Sequence, residues 1–386
     1  MILGIDASSI RSGGGLSHLR GVLANVLPTD YGFQKLVIWC NPVVASYLAD
    51  LASPTFEIRS FPYLNGSLFR LLYWHNTCLT REIRTLQPSV LWVPAGIMGR
   101  RLPVPTVMIS QNLLPFESNE AARYGLSKAR IKLALLRVAQ SRAFCAAQGV
   151  IFLTKYARDV VVRSLPTLEG KSVTIPHGID EAFFRTPPSQ GWKPDEPIRL
   201  LYVSTVDMYK HQWNVAKAVR LLMDQGHDVQ LSLVGGAYPP AMKHLQQTLA
   251  ELPETVRARI HLRGMAKHDT LPEVYRGAQL FVFASSCETM SIIVLEAMAS
   301  GLPIACSNRG PMQEILGDAG VYFNPENSVD IANALHSLIS SSALRSRCAT
   351  AAFERAKAYS WKRCATETLA FLQQTAQCHL SKNAVA

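Results

Sequence analysis

Glu288 and Glu296 stand eight positions apart inside the run FVFASSCETMSIIVLEAMASGLP, residues 281–303. Carboxylates accept hydrogen bonds from hydroxyl groups, so such a pair suits a polyhydroxyl ligand that both can reach. The apolar run 280–284 predicts a buried strand, and the small residues after it a tight loop. Residues 289–299 then predict a helix, stopped by Gly301-Leu302-Pro303. The start of such a helix offers unpaired N–H groups and partial positive charge, which suits a phosphate. Helical side chains tilt toward the N-terminus, so Glu296, about two turns in, leans back toward the ground that Glu288 borders. A helix start at Met290, Ser291 and Ile292, flanked by two acceptors, fits a ligand that is phosphate at one end and polyhydroxyl at the other. That describes a nucleotide-sugar.

Other residues could take part in the same chemistry. Lys210 follows the predicted strand 198–204 in the loop TVDMYKH. A cation there would stabilise the negative charge that builds on a departing diphosphate. Gly13, Gly14 and Gly15, with Ser12, fall between a first strand at 2–5 and a helix from 16 or 17 onward. Glycines in that place let backbone N–H groups approach a ligand. The spacing is not G-x-G-x-x-G, so it carries no dinucleotide fingerprint. Gln111 and Asn112 follow the predicted strand 105–110; both can hydrogen-bond a sugar, and neither can exchange a proton near neutral pH. Gly235-Gly236 follows strand 229–234, and Arg263-Gly264-Met265 follows strand 259–263. No D-x-D occurs, and the histidines show no metal spacing, so no metal and no cofactor beyond the donor substrate is expected.

The stretch around the two glutamates resembles the E-x7-E signature of retaining family-4 glycosyltransferases. That family has the GT-B fold: α/β, with two doubly wound Rossmann-like domains facing across a cleft. The resemblance implies that Glu288 contacts sugar hydroxyls, that the loop and helix start hold the diphosphate, and that Glu296 holds the ribose. The family form E-x-F-G is here Glu288-Thr289-Met290-Ser291, which alters the donor pocket. The family also places an arginine and a lysine six residues apart after the strand that corresponds to 198–204. Lys210 matches the lysine, and Ser204 stands at the arginine position. The glycine loop would lie under the donor diphosphate, and the backbone at Gly264 and Met265 would meet the base. Gln111-Asn112 occupies the place of the family's His-Asp, which removes a simple general base. In such retaining enzymes the leaving phosphate is thought to take the acceptor's proton. Ile175-Pro176-His177-Gly178-Ile179-Asp180 resembles the hinge Pro-Asn-Gly-Val-Asp, with His177 read as a structural turn. Ser360-Trp361 resembles the motif before the family's last helix, which often crosses back to the first domain. The resemblance is densest from 175 to 325.

The elements needed to position these residues recur in both halves. Apolar strands at 2–5, 35–40, 90–94, 105–110 and 149–153 alternate with helical stretches near 43–52, 67–85 and 127–147. Strands at 198–204, 229–234, 259–263, 279–284, 303–306 and 320–323 repeat the pattern with helices at 211–225 and 240–251, and 329–375 is largely helical. Such alternation implies parallel sheets covered on both faces. The expected division is 1–175, an acceptor-binding domain; 176–360, a nucleotide-sugar-binding domain; and 361–386, a terminal helix crossing back to the first. The Pro- and Gly-rich stretch 176–197 connects them.

At 386 residues the chain exceeds one ordinary core and suits two domains. Nothing in it approaches an apolar span, and MILGIDASS turns polar too soon for a signal peptide or anchor. Its eight cysteines are scattered, without a C-x-x-C pair, and read as reduced thiols of a cytoplasmic protein. The formal charge of +11 calls for an anionic partner. No zinc spacing, RNP-like run or basic heptad supports nucleic acid. Segment 123–142, RYGLSKARIKLALLRVAQSR, sets Arg123, Lys128, Arg130, Lys132, Arg137 and Arg142 beside a leucine-rich stripe. That is the pattern of a helix lying on anionic lipid, and equally of a solvated helix packed on a sheet.

The sequence therefore reads as a retaining, metal-independent hexosyltransferase that is peripheral on the inner face of the cell membrane. Glu288, Lys210 and Gln111 would stand at the reacting centre. The wording of its motifs resembles bacterial enzymes of surface-polysaccharide, lipopolysaccharide and O-antigen assembly, with mannose from GDP-mannose as first donor and UDP-linked sugars next. The acceptor would be a lipid-linked or growing glycan. A nucleotide-sugar 2-epimerase of the same fold, or a nucleotide-sugar binder without transfer activity, are the alternatives.

Overall fold

The computed structural model describes residues 1–386 apart from 12, 66–67, 96, 99–101, 188–191, 193–195 and 386, and apart from the side chains of 68 and 382–385. Ser12 of the expected glycine loop and parts of the expected connection 176–197 lie outside the described residues. The chain divides into two compact units. The first comprises 1–118, 126–178 and 360–386, and the second 119–125 and 179–359.

The first unit holds a seven-stranded sheet: β1 Ile2–Asp6, β2 Lys35–Cys40, β3 Phe56–Ser60, β4 Val90–Val93, β5 Thr106–Ser110, β6 Gly149–Phe152 and β7 Ser172–Thr174. Their order is β3-β2-β1-β4-β5-β6-β7, and every neighbouring pair is parallel. The second holds six strands: β8 Ile198–Val203, β9 Val229–Val234, β10 Ile260–Gly264, β11 Leu280–Phe283, β12 Ile304–Ser307 and β13 Val321–Phe323. Their order is β10-β9-β8-β11-β12-β13, again parallel throughout. Strands β4, β5, β6, β11 and β12 are buried along their whole length, as parallel strands covered on both faces must be. The expected fold class, two doubly wound α/β units, is what the chain adopts.

Each sheet reverses its strand order once, between β1 and β4 and between β8 and β11. In open α/β sheets a ligand lies beyond the carboxyl ends of the strands at such a switch point, where the two connecting loops part. Gly13 to Gly15 follow β1, while Lys210 follows β8 and Glu288 follows β11.

Several expected elements are corrected. The first helix is Gly14–Ala24, so Gly14 and Gly15 form its opening turn, and only Gly13 remains outside as the cap. Gly13 has φ 71° and ψ −155°, a conformation open essentially to glycine alone, and that residue makes the turn. The helix expected over 289–299 is Ile292–Ala299, because Ser291 before it is extended (φ −92°, ψ 102°). Glu296 is therefore one turn in, not two. The stretch 67–85 is Leu68–Tyr73, a π-helical turn Trp74–Cys78 and then Leu79–Leu86. Segment 123–142 is not one helix: Gly125 has φ 57° and Ser127 caps a helix that runs Lys128–Ala146.

Trp361 opens the last helix, Trp361–Val385, and fixes it in the first unit. A Cβ on Gly21 would come 2.3 Å from its ring, and one on Gly178 would come 2.2 Å from its backbone nitrogen. Both approaches are possible only for glycine.

Candidate functional site

In the second unit the loop after β8 is held rigidly. Tyr202 donates from its hydroxyl to the Lys210 carbonyl (2.6 Å), and the Lys210 N–H donates to the Asp207 carbonyl (3.0 Å). His211, in the left-handed region at φ 52°, ends the loop and begins the helix Gln212–Asp224. That conformation is uncommon for a residue with a Cβ. It is stabilised by a 3.0 Å hydrogen bond between His211 Nε2 and Ser286 Oγ in the loop after β11. The Ser286 N–H donates in turn to the Tyr209 carbonyl at 2.8 Å. The two loops at the switch point are thereby tied together.

Within this frame Lys210 Nζ donates to Glu288 Oε1. Their side chains are 8% and 15% exposed, so this is an ion pair with little water around it. The Phe283 and Tyr209 rings lie 5.1 Å and 5.0 Å from Nζ. A buried pair of this kind holds each charge in place because either alone would be costly to bury.

The helix Ile292–Ala299 starts beside this pair in sequence, and its first N–H groups have no acceptor within the helix. The Ser291 hydroxyl is buried without a hydrogen-bond partner. Glu296 is 4% exposed and accepts a 2.9 Å hydrogen bond from the Tyr275 hydroxyl. Burial pushes its pKa up to about 8, against the opposing pull of that hydrogen bond and with a further push from Asp180.

The carboxyl ends of β8, β9 and β10 meet through glycines. Gly235 (φ 149°) passes so close to Ser204 that a Cβ would stand 2.2 Å from the Ser204 carbonyl oxygen. The Gly235 N–H donates to the Gly264 carbonyl at 2.8 Å. Gly264 has φ 67°, and Met265 beside it is an exposed thioether. A Cβ on Gly236 would touch the Met265 sulfur at 3.4 Å. Ser204, Gly235, Gly264 and Met265 thus form one rim of the second sheet.

Gln111, Gly13, Gly14 and Gly15 lie in the first unit. A Cβ on Gly15 would come 3.1 Å from Gln111 Oε1, so the side chain rests on the opening turn of the first helix. Its Nε2 is buried without a partner.

Four residues were not placed here by the sequence reading: Glu120, Arg123, Tyr124 and Arg309. Glu120, Arg123 and Tyr124 belong to the short segment 119–125, which packs in the second unit. Glu120 Oε2 accepts from Ser286 at 2.5 Å, Arg123 pairs with Glu120 and Glu326 at 2.7 and 2.8 Å, and Tyr124 donates to Asp207 at 2.7 Å. Arg123 is accordingly not part of the basic helix face to which it was assigned. Burial, and then the Arg123 charge, pull the His211 pKa down to about 4, so this bridge is a neutral imidazole. Arg309, on the loop after β12, is exposed, and a Cβ on the adjacent Gly310 would approach the Glu288 backbone nitrogen at 3.7 Å. Its charge acts on both His211 and Glu326. Apart from the i,i+3 pair of Glu120 and Arg123, the hydrogen-bond partners of Glu120, Arg123 and Tyr124 lie 83 to 203 positions away, which no local pattern marks.

Residues 185–355 match the family model described as Glycosyl transferases group 1. O-antigen chain mannosyltransferase B of Escherichia coli is 31% identical over 171 residues, 44% of this chain and 44% of that protein. Sulfoquinovosyl transferase SQD2 of Arabidopsis thaliana is 25% identical over 180 residues, 45% of this chain and 33% of that protein. The chain spans less than half the length of either. Among solved structures, Anabaena HepE in complex with UDP-glucose superposes with a TM-score of 0.70 at 16% identity, over 99% of this chain and 100% of that one. WaaG, a glycosyltransferase involved in lipopolysaccharide biosynthesis, gives 0.71 at 15% identity, over 96% and 99%. The fold is GT-B.

Proposed function

We propose that this chain is a retaining glycosyltransferase that moves a hexose from a nucleotide-diphosphosugar to a lipid-linked or growing cell-surface glycan. The observation that carries the reading is the Lys210–Glu288 pair at the switch point of the second sheet, next to the start of the helix Ile292–Ala299. Support comes from the group 1 family match over the same unit and from the O-antigen mannosyltransferase among the relatives. GDP-mannose is the first donor to try on that likeness. UDP-sugars follow, because the similar HepE structure holds UDP-glucose.

In this reading Glu288 accepts hydrogen bonds from the sugar hydroxyls, and Lys210 shifts from Glu288 toward the diphosphate as it departs. The N–H groups from Ser291 onward and the Ser291 hydroxyl supply the remaining donors to the phosphate oxygens. Arg309 provides the second cation that Ser204 cannot. Glu296, uncharged below about pH 8, offers both a donor and an acceptor to the ribose hydroxyls. Gln111 positions the acceptor or sugar without exchanging a proton, and the leaving phosphate takes the acceptor proton. The charge on the leaving group is met by protein groups, so transfer proceeds without a divalent ion.

The basic helix Lys128–Ala146 supports peripheral attachment to an anionic membrane. Ile131, Leu135 and Val138 share one face and are 63%, 66% and 49% exposed, with exposed Lys128, Arg130 and Lys132 beside them. Among the described residues no helix is long and apolar enough to cross a membrane.

The test is turnover: nucleoside diphosphate released from GDP-mannose or a UDP-hexose in the presence of membrane glycolipid, with the anomeric configuration of the product determined. An inverted product, or donor binding without release, would overturn the retaining-transferase reading.

A further inference from the structure

We infer that the second unit carries another anion site, on the edge of its sheet opposite the donor face, built to take a phosphate-bearing small molecule. A cavity of about 610 Å³ is lined by Arg199 near the start of β8, by Gln279 just before β11 and by Pro303 just before β12. Lys210 and Glu288, in contrast, follow the ends of β8 and β11. Parallel strands put these two sets of loops on opposite edges of the sheet, so the cavity lies away from Lys210 and Glu288, with Tyr275, which donates to Glu296, in its wall.

Four arginines line it: Arg185, Arg199, Arg276 and Arg345. Arg199 pairs with Glu196 at 3.3 Å, and Arg276 pairs with Glu273. Arg185 and Arg345 have no carboxylate partner among the described residues. Arg345 uses Nη1 on the carbonyls of Leu338 (2.9 Å) and Ile339 (2.6 Å), and its guanidinium carbon stands 3.9 Å from the centre of the Trp192 ring. Arg185 uses Nη1 on the Arg276 carbonyl at 3.4 Å. These bonds cap helix ends, and they occupy one edge of each guanidinium. Each group has five N–H donors in a planar fork, which leaves a second edge to meet a phosphate. Burial lowers the Arg345 pKa, the mark of a charge held in a partly dry place without a counter-ion. The volume exceeds what a bare phosphate fills. The shared chemistry is the phosphoryl group, carried free or on a sugar.

The test is calorimetric titration of the full chain with inorganic phosphate and, separately, with glucose 6-phosphate. Saturable binding is expected, weakened about tenfold or more in Arg185→Gln/Arg345→Gln and unchanged in Lys210→Ala. If the glutamines disturb the helix ends, Ala343→Glu keeps every cap, sets a carboxylate into the cavity wall and should produce the same loss. Tighter binding of glucose 6-phosphate assigns the site to a sugar-borne phosphate; equal binding assigns it to free phosphate. Absence of saturable binding overturns the inference. So does binding that Lys210→Ala abolishes and the arginine and Ala343 variants leave intact, because the phosphate would then sit on the donor face. None of these outcomes depends on glycosyl transfer.

Discussion

Tyr275 donates its hydroxyl to Glu296 across 2.9 Å in the buried interior of the second unit, and among the described residues no cation pairs with that carboxylate. Burial therefore raises the Glu296 pKa to about 8, while an unfolded chain ionises it near 4.5. The folded state holds a proton that the unfolded state has released, so stability falls as pH rises from about 4.5 to about 8. Glu296→Gln removes this dependence. Its melting temperature should match the native chain near pH 5 and exceed it at pH 8.5, while donor affinity drops. Equal pH profiles for the two proteins would refute the neutral carboxyl.

Removing one partner of the Lys210–Glu288 pair leaves the other charge buried alone. Lys210→Ala should cost on the order of 3 kcal/mol in urea unfolding. Lys210→Ala/Glu288→Gln should cost less than that single substitution, because no charge is stranded. Additive losses would mean that the pair contributes nothing as a pair.

In the first unit the Nδ1 atoms of His18 and His177 stand 2.9 Å apart with Trp361 beside both rings. One imidazole must donate and the other accept, so the accepting ring at least is neutral. Burial pulls His177 down to about 4 and His18 well below its ordinary value, helped by the neighbouring ring. The unfolded chain takes up these protons first, so the stability is present above about pH 6.5 and lost as pH falls toward 4. Circular dichroism melts between pH 7 and pH 5 should show a falling midpoint. His177→Asn should flatten the fall. A midpoint constant over this range would remove the histidine pair from the account.

In the proposed reading Arg309 stands in for the arginine that the resembling family has where this chain has Ser204. Arg309→Ala should slow turnover roughly tenfold to a hundredfold with the melting temperature unchanged, since its side chain is exposed. Unimpaired turnover would leave Lys210 and the helix start as the sole charge at the phosphate.

Vesicle co-sedimentation checks the basic helix. Binding should appear with phosphatidylglycerol, fade in high salt and weaken in Leu135→Glu. Binding indifferent to lipid charge would contradict an electrostatic dock.

The sequence told most where burial made its pattern plain. Strands β8 to β12 are apolar runs between loop signals, and their expected limits agree with the structure within a residue or so. Strand β3 was passed over because Glu57 and Arg59 alternate through it at a sheet edge, and β7 because three residues make no period. The glycine run looked like loop throughout. A single left-handed glycine suffices for the turn, and the two after it enter the helix. Lys210 and Glu288 were each singled out by position after a strand. Their contact, 78 residues apart, follows from strand order, which no local pattern encodes. The same holds for Tyr275 against Glu296 and for Glu120 against Ser286.

The central claim is a nucleotide-sugar site at the β8–β11 switch point, and donor binding tests it most directly. Thermal unfolding of the purified chain with GDP-, UDP-, dTDP- and ADP-sugars and the free diphosphates should show a rise in melting temperature with one base. That rise should shrink in Lys210→Ala and in Glu296→Ala. No shift with any of these ligands, or a shift indifferent to both substitutions, would contradict the site.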